Sequence, residues 1–435
     1  MIRKIAQFGN RLVLVPSSGV RLNLIWMAAG SAMQAASGWL SVVVLAKLGS
    51  PNVVGSYALA VAIVVPTIAL LNLQLRENMV TDARASRPFS DYYRLRLITV
   101  TVALFAISLL GLVALDGAFS WGLLAAVTVG KLAEAVSDIV YGVFQKRERL
   151  DLVAKFVSCR SILGVTALWG VMMVSRNAVL ACLASSLCSV GVLALAEIKA
   201  SARFANSAAP VDSGNPHPLI GVWPLAVSCL PLGIVTLMNS LAVYGPRYFI
   251  AAHAGKIDLG AYAVIHSTLS AFYLFQTSTG AAAMPRLARY FAQGDRGAFM
   301  KLSQKVVLSG LLISAAIVAA TYFFGTEILK HLYSREYSSY ADLFFWMAVS
   351  SAFTCLSAAV SFLVHTTRQF AVNAYTATLT AALIALLSAV SVPRYGLYGA
   401  VLAVMIGSIT TLLISSVQLV RILRSISNAS YRPVL

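Results

Sequence analysis

The sequence predicts an all-α, polytopic integral membrane protein with about twelve transmembrane helices in two six-helix lobes. Of its 435 residues, 59% are hydrophobic and only 11% are charged, which is too apolar for a soluble chain of this length. Apolar runs of about 18 to 25 residues recur from end to end, and this is the length that crosses a bilayer as a helix. The sequence lacks the short alternating segments that are typical of transmembrane barrels.

The spans divide into two groups of six, with boundaries good to a few residues. A segment rich in proline, glycine and small polar residues, 199–219, has the composition of a flexible linker and separates an N-terminal lobe, 1–198, from a C-terminal lobe, 220–435. The predicted spans are 22–46, 56–75, 97–115, 121–144, 156–174 and 178–198, then 220–243, 259–282, 306–324, 341–364, 370–392 and 397–423.

The two lobes share a short repeat. Gly49-x5-Gly55-x-Tyr57-Ala58 leads into span two, and Gly255-x4-Gly260-x-Tyr262-Ala263 leads into span eight. Each copy follows a long first span and precedes a basic loop, so the register of the repeat agrees with the six-and-six division. Repeated six-helix halves are the plan of several transporter folds.

The net charge of +18 lies in alternate loops and forms no basic domain, which argues against nucleic-acid binding. By the positive-inside rule the richer loops face the cytoplasm, so both termini are expected there and the span number is even. These loops and the termini hold Arg76, Arg84, Arg87, Arg94, Arg96, Lys146, Arg147, Arg149, Lys155, Lys199, Arg203, Arg286, Arg289, Arg296, Lys301, Lys305, Arg421, Arg424 and Arg432. The opposite loops hold only Lys47, Arg176, Arg247, Lys256, Lys330, Arg335 and Arg394.

The N-terminal 21 residues carry four basic side chains among apolar ones, and we expect a short interfacial helix there rather than a cleaved signal peptide.

The five cysteines have neither metal-binding nor redox spacing and are predicted to be small membrane-embedded side chains. The sequence contains no GxxxxGK[ST], HExxH or GxSxG motif, and its loops are too short for an active site of their own. We therefore expect that the protein is not an enzyme and that it binds neither a cofactor nor a metal ion.

Span four carries a charged stripe. Lys131, Glu134 and Asp138 follow one another at spacings of three and four, which places them on one helix face, with Lys131 near the middle of the span. A charge at that depth is costly unless it is paired or hydrated. Two interpretations stay open: a structural Lys131–Glu134 pair, or the wall of a polar cavity between the lobes.

Other polar residues in the spans are candidates for the same cavity. Arg160, a turn inside span five, either snorkels to the cytoplasmic interface or binds a phosphate group with its planar fork. Span seven contains Asn239 and ends near Arg247, which either faces the cavity or anchors the end of the span at the membrane interface. In span eight, His266 is the best candidate for titration near neutral pH, although a lone histidine is more often a packing residue. Gln276 in span eight and Arg286 beyond it complete the substrate-binding candidates.

A series of short motifs runs along the chain: Leu75-Arg76, Thr81-Asp82-Ala83-Arg84, Phe89, Tyr92, Leu95-Arg96-Leu97, Pro231-Leu232-Gly233-Ile234, Pro246-Arg247-Tyr248-Phe249, Leu259-Gly260, Pro285-Arg286-Leu287-Ala288-Arg289, Pro393-Arg394-Tyr395-Gly396-Leu397 and Gly399-Ala400. In this order and spacing they resemble bacterial oligosaccharide flippases of the multidrug/oligosaccharidyl-lipid/polysaccharide exporter superfamily, among the polysaccharide biosynthesis transporters. The likeness extends from the first span to the twelfth.

The resemblance implies two lobes around a central cavity that opens alternately to each side of the bacterial inner membrane. It implies a flippase for undecaprenyl-diphosphate-linked oligosaccharide, with a glycan polymerase or export machinery as possible partners. A drug or organic-cation antiporter of the same superfamily and a noncatalytic component of a polysaccharide assembly complex are the alternatives. The antiporter would need an acidic, aromatic cavity, whereas the embedded charges lean basic. The family motifs do not include the Lys131 stripe, whose assignment rests on its spacing alone.

Overall fold

The computed structural model describes residues 20–82, 87–114, 118–205, 222–365 and 370–429, and within them it contains helices and short connections but no strand. The predicted interfacial segment before residue 20 and the linker residues 206–219 lie outside the described residues. The helices are α1 Val20–Leu48, α2 Pro51–Leu71, α3 Leu75–Thr81, α4 Phe89–Ala114, α5 Ala118–Lys146, α6 Leu150–Ser175, α7 Ala178–Val192, α8 Ile198–Ala205, α9 Val222–His253, α10 Gly255–Ala292, α11 Arg296–Leu332, α12 Ala341–His365 and α13 Phe370–Ala429.

Three irregularities interrupt these helices. A π-helical turn, Leu193–Glu197, joins α7 to α8, and a 3₁₀ turn, Arg335–Tyr340, leads into α12. The long α13 reverses direction at Gly396, whose backbone has φ 56° and ψ −132°. Across this reversal the Thr380 and Thr411 hydroxyls lie 2.7 Å apart, so the two parts of α13 pack side by side as separate spans.

The helices account for the predicted number of spans. Nine stretches of the described residues are long and apolar enough to cross a membrane. One of them, Ala374–Arg424, contains the reversal and counts as two, and α5 and α10 have 29 and 38 residues. Together they give twelve, which confirms the predicted polytopic all-α class.

Residues Met1–Ser240 and Leu241–Leu435 form two compact units. The division falls inside α9, because the first part of that helix packs into the core of the first unit through Val222, Leu225 and Cys229. That core also contains Phe144 and Phe156, whose rings stack 5.7 Å apart.

The second unit has its own core, formed where α10, α11, α12 and the end of α13 meet. Leu287, Phe299, Leu363 and Ile422 are buried there. In both units large apolar side chains are also exposed, such as Phe105 and Val113 of α4 and Leu312 and Phe323 of α11. Exposed apolar rows on helices of this length are typical of lipid-facing surfaces.

Candidate functional site: a charged cavity in the first unit

The charged stripe of α5 lines a cavity of about 360 Å³. Lys131 lies at the middle of the 29-residue helix, and Glu134 and Asp138 follow on the same face. Every residue that lines this cavity belongs to the first unit. The lining residues are Met27, Gly30, Ser31, Gln34, Val65, Ile68, Ala69, Asn72, Arg76, Lys131, Glu134, Ala135, Asp138, Tyr141, Val153, Ala154, Val157 and Arg160.

The two acidic residues of the stripe are both paired. Lys131 Nζ lies 2.8 Å from Glu134 Oε2, and Asp138 lies between two arginines, 3.3 Å from Arg76 Nη1 and 3.6 Å from Arg96 Nη2. Pairing offsets part of the cost of placing charges among apolar helices. The predicted Lys131–Glu134 pair is thus present, and both residues also line this cavity of the first unit, whereas the cavity between the lobes stays a prediction.

Arg76 and Arg96 correct the sequence analysis, which counted both among the loop charges. Arg76 lies on α3, and Arg96 lies on α4, which begins eight residues before the predicted start of span three. The Arg96 side chain is only 1% exposed and donates to the Asn72 amide oxygen as well as facing Asp138. Charged residues at a span end look like loop residues in a sequence, but here they turn inward.

Arg160 does not reach outward to the interface. Its guanidinium is buried and donates to Ser137 Oγ at 2.8 Å and to the Tyr141 hydroxyl at 2.7 Å. The Tyr141 hydroxyl in turn donates to Glu197 Oε1 at 2.7 Å, and the same carboxylate oxygen lies 4.0 Å from Arg160 Nη1. The snorkelling interpretation of Arg160 does not fit this geometry.

Glu197 is fully buried and ends the π-helical turn between α7 and α8. A π turn inserts one extra residue into a helix and so changes the direction of the side chains around it. Among the described residues, the second carboxylate oxygen of Glu197 has no hydrogen-bond partner. The turn thus holds a carboxylate against the Arg160–Tyr141 pair at the cost of leaving one oxygen unpaired.

The cavity wall is positive on balance. It carries the cationic side chains of Arg76, Lys131 and Arg160 against the two carboxylates Glu134 and Asp138. The amides of Gln34 and Asn72 and the hydroxyls of Ser31 and Tyr141 add neutral hydrogen-bonding groups. Such a wall can hold an anion, with hydroxyl-bearing groups beside it.

A break in the second span brings Asn72 and Arg76 to the cavity. Between α2 and α3, Leu73 and Gln74 both adopt left-handed backbone conformations, with φ 50° and 46°. Arg76 then donates through Nε to Gln145 Oε1 at 2.8 Å and pairs through Nη1 with Asp138. The sequence predicted one continuous span, 56–75, here.

The second unit contains a separate polar pair. Arg247 is buried on α9, with Nη2 3.3 Å from His266 Nδ1 and its guanidinium 4.7 Å from the ring centre of Tyr244. The ring of Tyr262 lies 6.1 Å from that of His266. Arg247 and His266, predicted as separate candidates, are therefore brought together, and neither is among the residues that line the cavity described above.

The remaining candidates are not on the cavity wall. Asn239 on α9 and Arg286 on α10 are exposed. Gln276 lies on α10, and its side chain is outside the described part of the structure. The described residues contain no group of three or more His, Cys, Asp or Glu side chains placed to hold a metal ion.

Four side chains of this charged network were not among the predicted site residues: Arg76, Arg96, Tyr141 and Glu197. Two signals were available in the sequence. Tyr141 follows Asp138 by three residues and extends the same stripe, and Glu197 is the one acidic residue of predicted span six.

Comparisons with known proteins agree with the fold. The MatE family model matches residues 247–391. The capsular polysaccharide biosynthesis protein CapF of Staphylococcus aureus is 23% identical over 393 residues, which cover 90% of this chain and 97% of that protein.

Two solved structures extend the comparison. The inward-facing structure of a multidrug resistance MATE family transporter of the MOP superfamily has a TM-score of 0.65 at 14% identity. The match covers 98% of this chain and 99% of that transporter. The lipid II flippase MurJ, in an inward closed conformation, has a TM-score of 0.65 at 14% identity, with 93% and 90% covered. The predicted resemblance to this superfamily is confirmed, and the chain has its membrane-spanning transporter fold.

Proposed function

We propose that this chain, whose fold is that of MATE-type transporters, is a flippase for undecaprenyl-diphosphate-linked oligosaccharide. It moves the head group across the bacterial inner membrane by alternating access, for the synthesis of a cell-surface or exported polysaccharide. The relatives named as a capsular polysaccharide biosynthesis protein and a lipid II flippase support this class of cargo. No catalysis and no cofactor belong to the proposal.

The observation that carries the proposal is the positive cavity wall within membrane-spanning helices. A diphosphate cannot cross hydrocarbon unaided, because its charges would lose their hydration there. Arg76, Lys131 and Arg160 offer it cationic donors, and the neutral amides and hydroxyls offer partners for sugar hydroxyls.

The pairing around Asp138 suits the binding of an anion that arrives and leaves. Arg76 is partly exposed at the cavity, whereas Arg96 is buried behind it. If Arg76 turns toward a phosphate, Arg96 still compensates the charge of Asp138. Arg76 can thus bind a phosphate group while the Asp138 carboxylate keeps a cationic partner.

A drug or organic-cation antiporter is the second candidate, and the multidrug transporter among the structural neighbours supports it. A cationic drug would need carboxylates free to receive it. Three basic side chains line the wall against two carboxylates, Glu134 and Asp138, and this excess of positive charge favours the anionic cargo.

The proposal is tested by Lys131→Ala in cells that depend on this chain for surface glycan. Losing one charge-assisted contact of about 1.5–3 kcal/mol should reduce glycan export by about ten-fold or more, with unchanged membrane abundance of the protein. Surface glycan is measured with a lectin or antiserum, and abundance by immunoblot of membranes.

The matched control is Lys330→Ala, because Lys330 forms the same kind of i,i+3 pair, with Glu327 at 3.5 Å, and does not line the cavity. It should leave glycan unchanged. Normal glycan in Lys131→Ala would contradict the cavity assignment, and loss of folded protein would favour a purely structural pair.

A further inference from the structure

The break between α2 and α3 leaves the backbone carbonyl of Ala69 without its helical partner. In an uninterrupted helix the Ala69 carbonyl would accept from the N–H of Leu73, four residues on. Leu73 instead donates to Leu70 O at 3.2 Å, and its left-handed backbone ends the helix. A carbonyl stranded among packed helices is unfavourable unless another donor reaches it.

Thr236 of α9 supplies that donor. Its Oγ1 lies 2.7 Å from Ala69 O, within the first unit. The same hydroxyl is 2.8 Å from Gly233 O and 3.3 Å from Leu232 O, in its own helix. Those two carbonyls can accept from helix N–H groups four residues further on, whereas Ala69 O cannot, so the single hydroxyl hydrogen is best used on Ala69.

The neighbouring backbone is shaped to admit this contact. A Cβ on Gly233 would lie 2.6 Å from Leu70 O, a distance that real side chains do not tolerate. Glycine at this position therefore lets α9 approach the broken end of α2 closely enough for the Thr236 hydroxyl to reach it.

We propose that Thr236 is a positioning residue for the cavity, which acts by capping Ala69 O and holding the α2–α3 break in place. Asn72 and Arg76 emerge from this break, and through Arg96 and Asp138 they are tied to the charged stripe of α5. Thr236 itself does not line the cavity. The consequence for cargo binding rests on the proposed function, whereas the capping of the break does not.

The test compares Thr236→Val, which keeps the shape and removes the hydroxyl, with Thr236→Ser, which keeps the hydroxyl. Thr166→Val is the matched control, because among the described residues the Thr166 hydroxyl bonds only to carbonyls of its own helix, Ile162 O and Leu163 O. Hydrogen–deuterium exchange of the purified protein is measured on peptides that cover residues 70–81. Binding of undecaprenyl diphosphate is measured on the same samples.

Thr236→Val should raise exchange in these peptides several-fold and weaken binding of the probe by about ten-fold, the effect of one lost hydrogen bond transmitted to the cavity. Thr236→Ser should restore both, and Thr166→Val should change neither. Unchanged exchange in Thr236→Val would overturn the cap, and raised exchange with wild-type binding would overturn the positioning role. Wild-type protein could fail to bind undecaprenyl diphosphate while Thr236→Val still raises exchange and Thr236→Ser and Thr166→Val do not. That result would contradict the proposed function but would support the capping of Ala69 O by Thr236.

Discussion

Arg160 and Glu197 are buried charges that depend on each other and on the Tyr141 hydroxyl between them. The guanidinium donates to Tyr141, which donates to Glu197, and both charged groups are almost fully shielded from solvent. Removing one member of such a pair leaves the other charge uncompensated, which is more damaging than removing both.

Glu197→Gln should therefore destabilise the protein, by about 3 kcal/mol, and so should Arg160→Gln. The double variant Arg160→Gln/Glu197→Gln should be more stable than the less stable single variant, because no charge is then stranded. Thermal unfolding of the purified protein in detergent measures this coupling. Additive losses in the double variant would show that the two charges are not coupled.

The charged stripe of α5 could be predicted from the sequence. Lys131, Glu134 and Asp138 share one helix face because of their spacing, and spacing alone decides which side chains of a helix share a face. The partners of the stripe, Arg76 and Arg96, could not be predicted, because they come from other helices. Contacts between helices depend on packing geometry, which no spacing within one helix encodes.

At the scale of elements, the irregular turns position the chemistry. The break after α2 directs Asn72 and Arg76 to the cavity, and the π turn after α7 directs Glu197 to Tyr141. Neither turn has glycine or proline at its centre, so neither carried the usual signal of a helix break. Both lie inside hydrophobic runs that were correctly predicted as spans.

The reversal of α13 differs, since it does carry a glycine. Gly396 adopts φ 56° and ψ −132°, a region almost closed to residues with a Cβ. Gly396→Ala should cost about 1–3 kcal/mol and lower the melting temperature in detergent.

Gly170→Ala is the control for that variant, because Gly170 is helical and a Cβ there would meet no other atom within 4 Å. It should melt at or slightly above the wild-type temperature. Equal melting of Gly396→Ala and Gly170→Ala would mean that the α13 reversal does not require glycine.

At the scale of the whole molecule, the number of spans followed from composition. Lipid solvates apolar side chains, so residues such as Phe105 and Val113 can stay exposed on long helices. Each span is therefore recognisable in the sequence as a long apolar run. The twelve-span prediction therefore needed no knowledge of packing. The cavity did need it, because its wall combines residues from α1, α2, α3, α5 and α6.

The orientation of the chain remains a prediction of the positive-inside rule. A fluorescent protein fused to the C-terminus should be bright, and alkaline phosphatase fused there should be inactive, because both termini are expected in the cytoplasm. Phosphatase fused after Ser334, in a loop expected on the opposite side, should be active. The reverse pattern would contradict the orientation and the direction of transport.

The most direct test of the proposed function is translocation by the purified protein in liposomes. Undecaprenyl diphosphate carrying a short labelled oligosaccharide is followed by its accessibility to an external lectin, and a fluorescent organic cation is followed in the same vesicles. The account predicts that wild-type protein moves the lipid-linked glycan and not the cation, and that Lys131→Ala slows this movement about ten-fold or more, whereas Lys330→Ala does not. Movement of the cation with a stationary glycan lipid would contradict it.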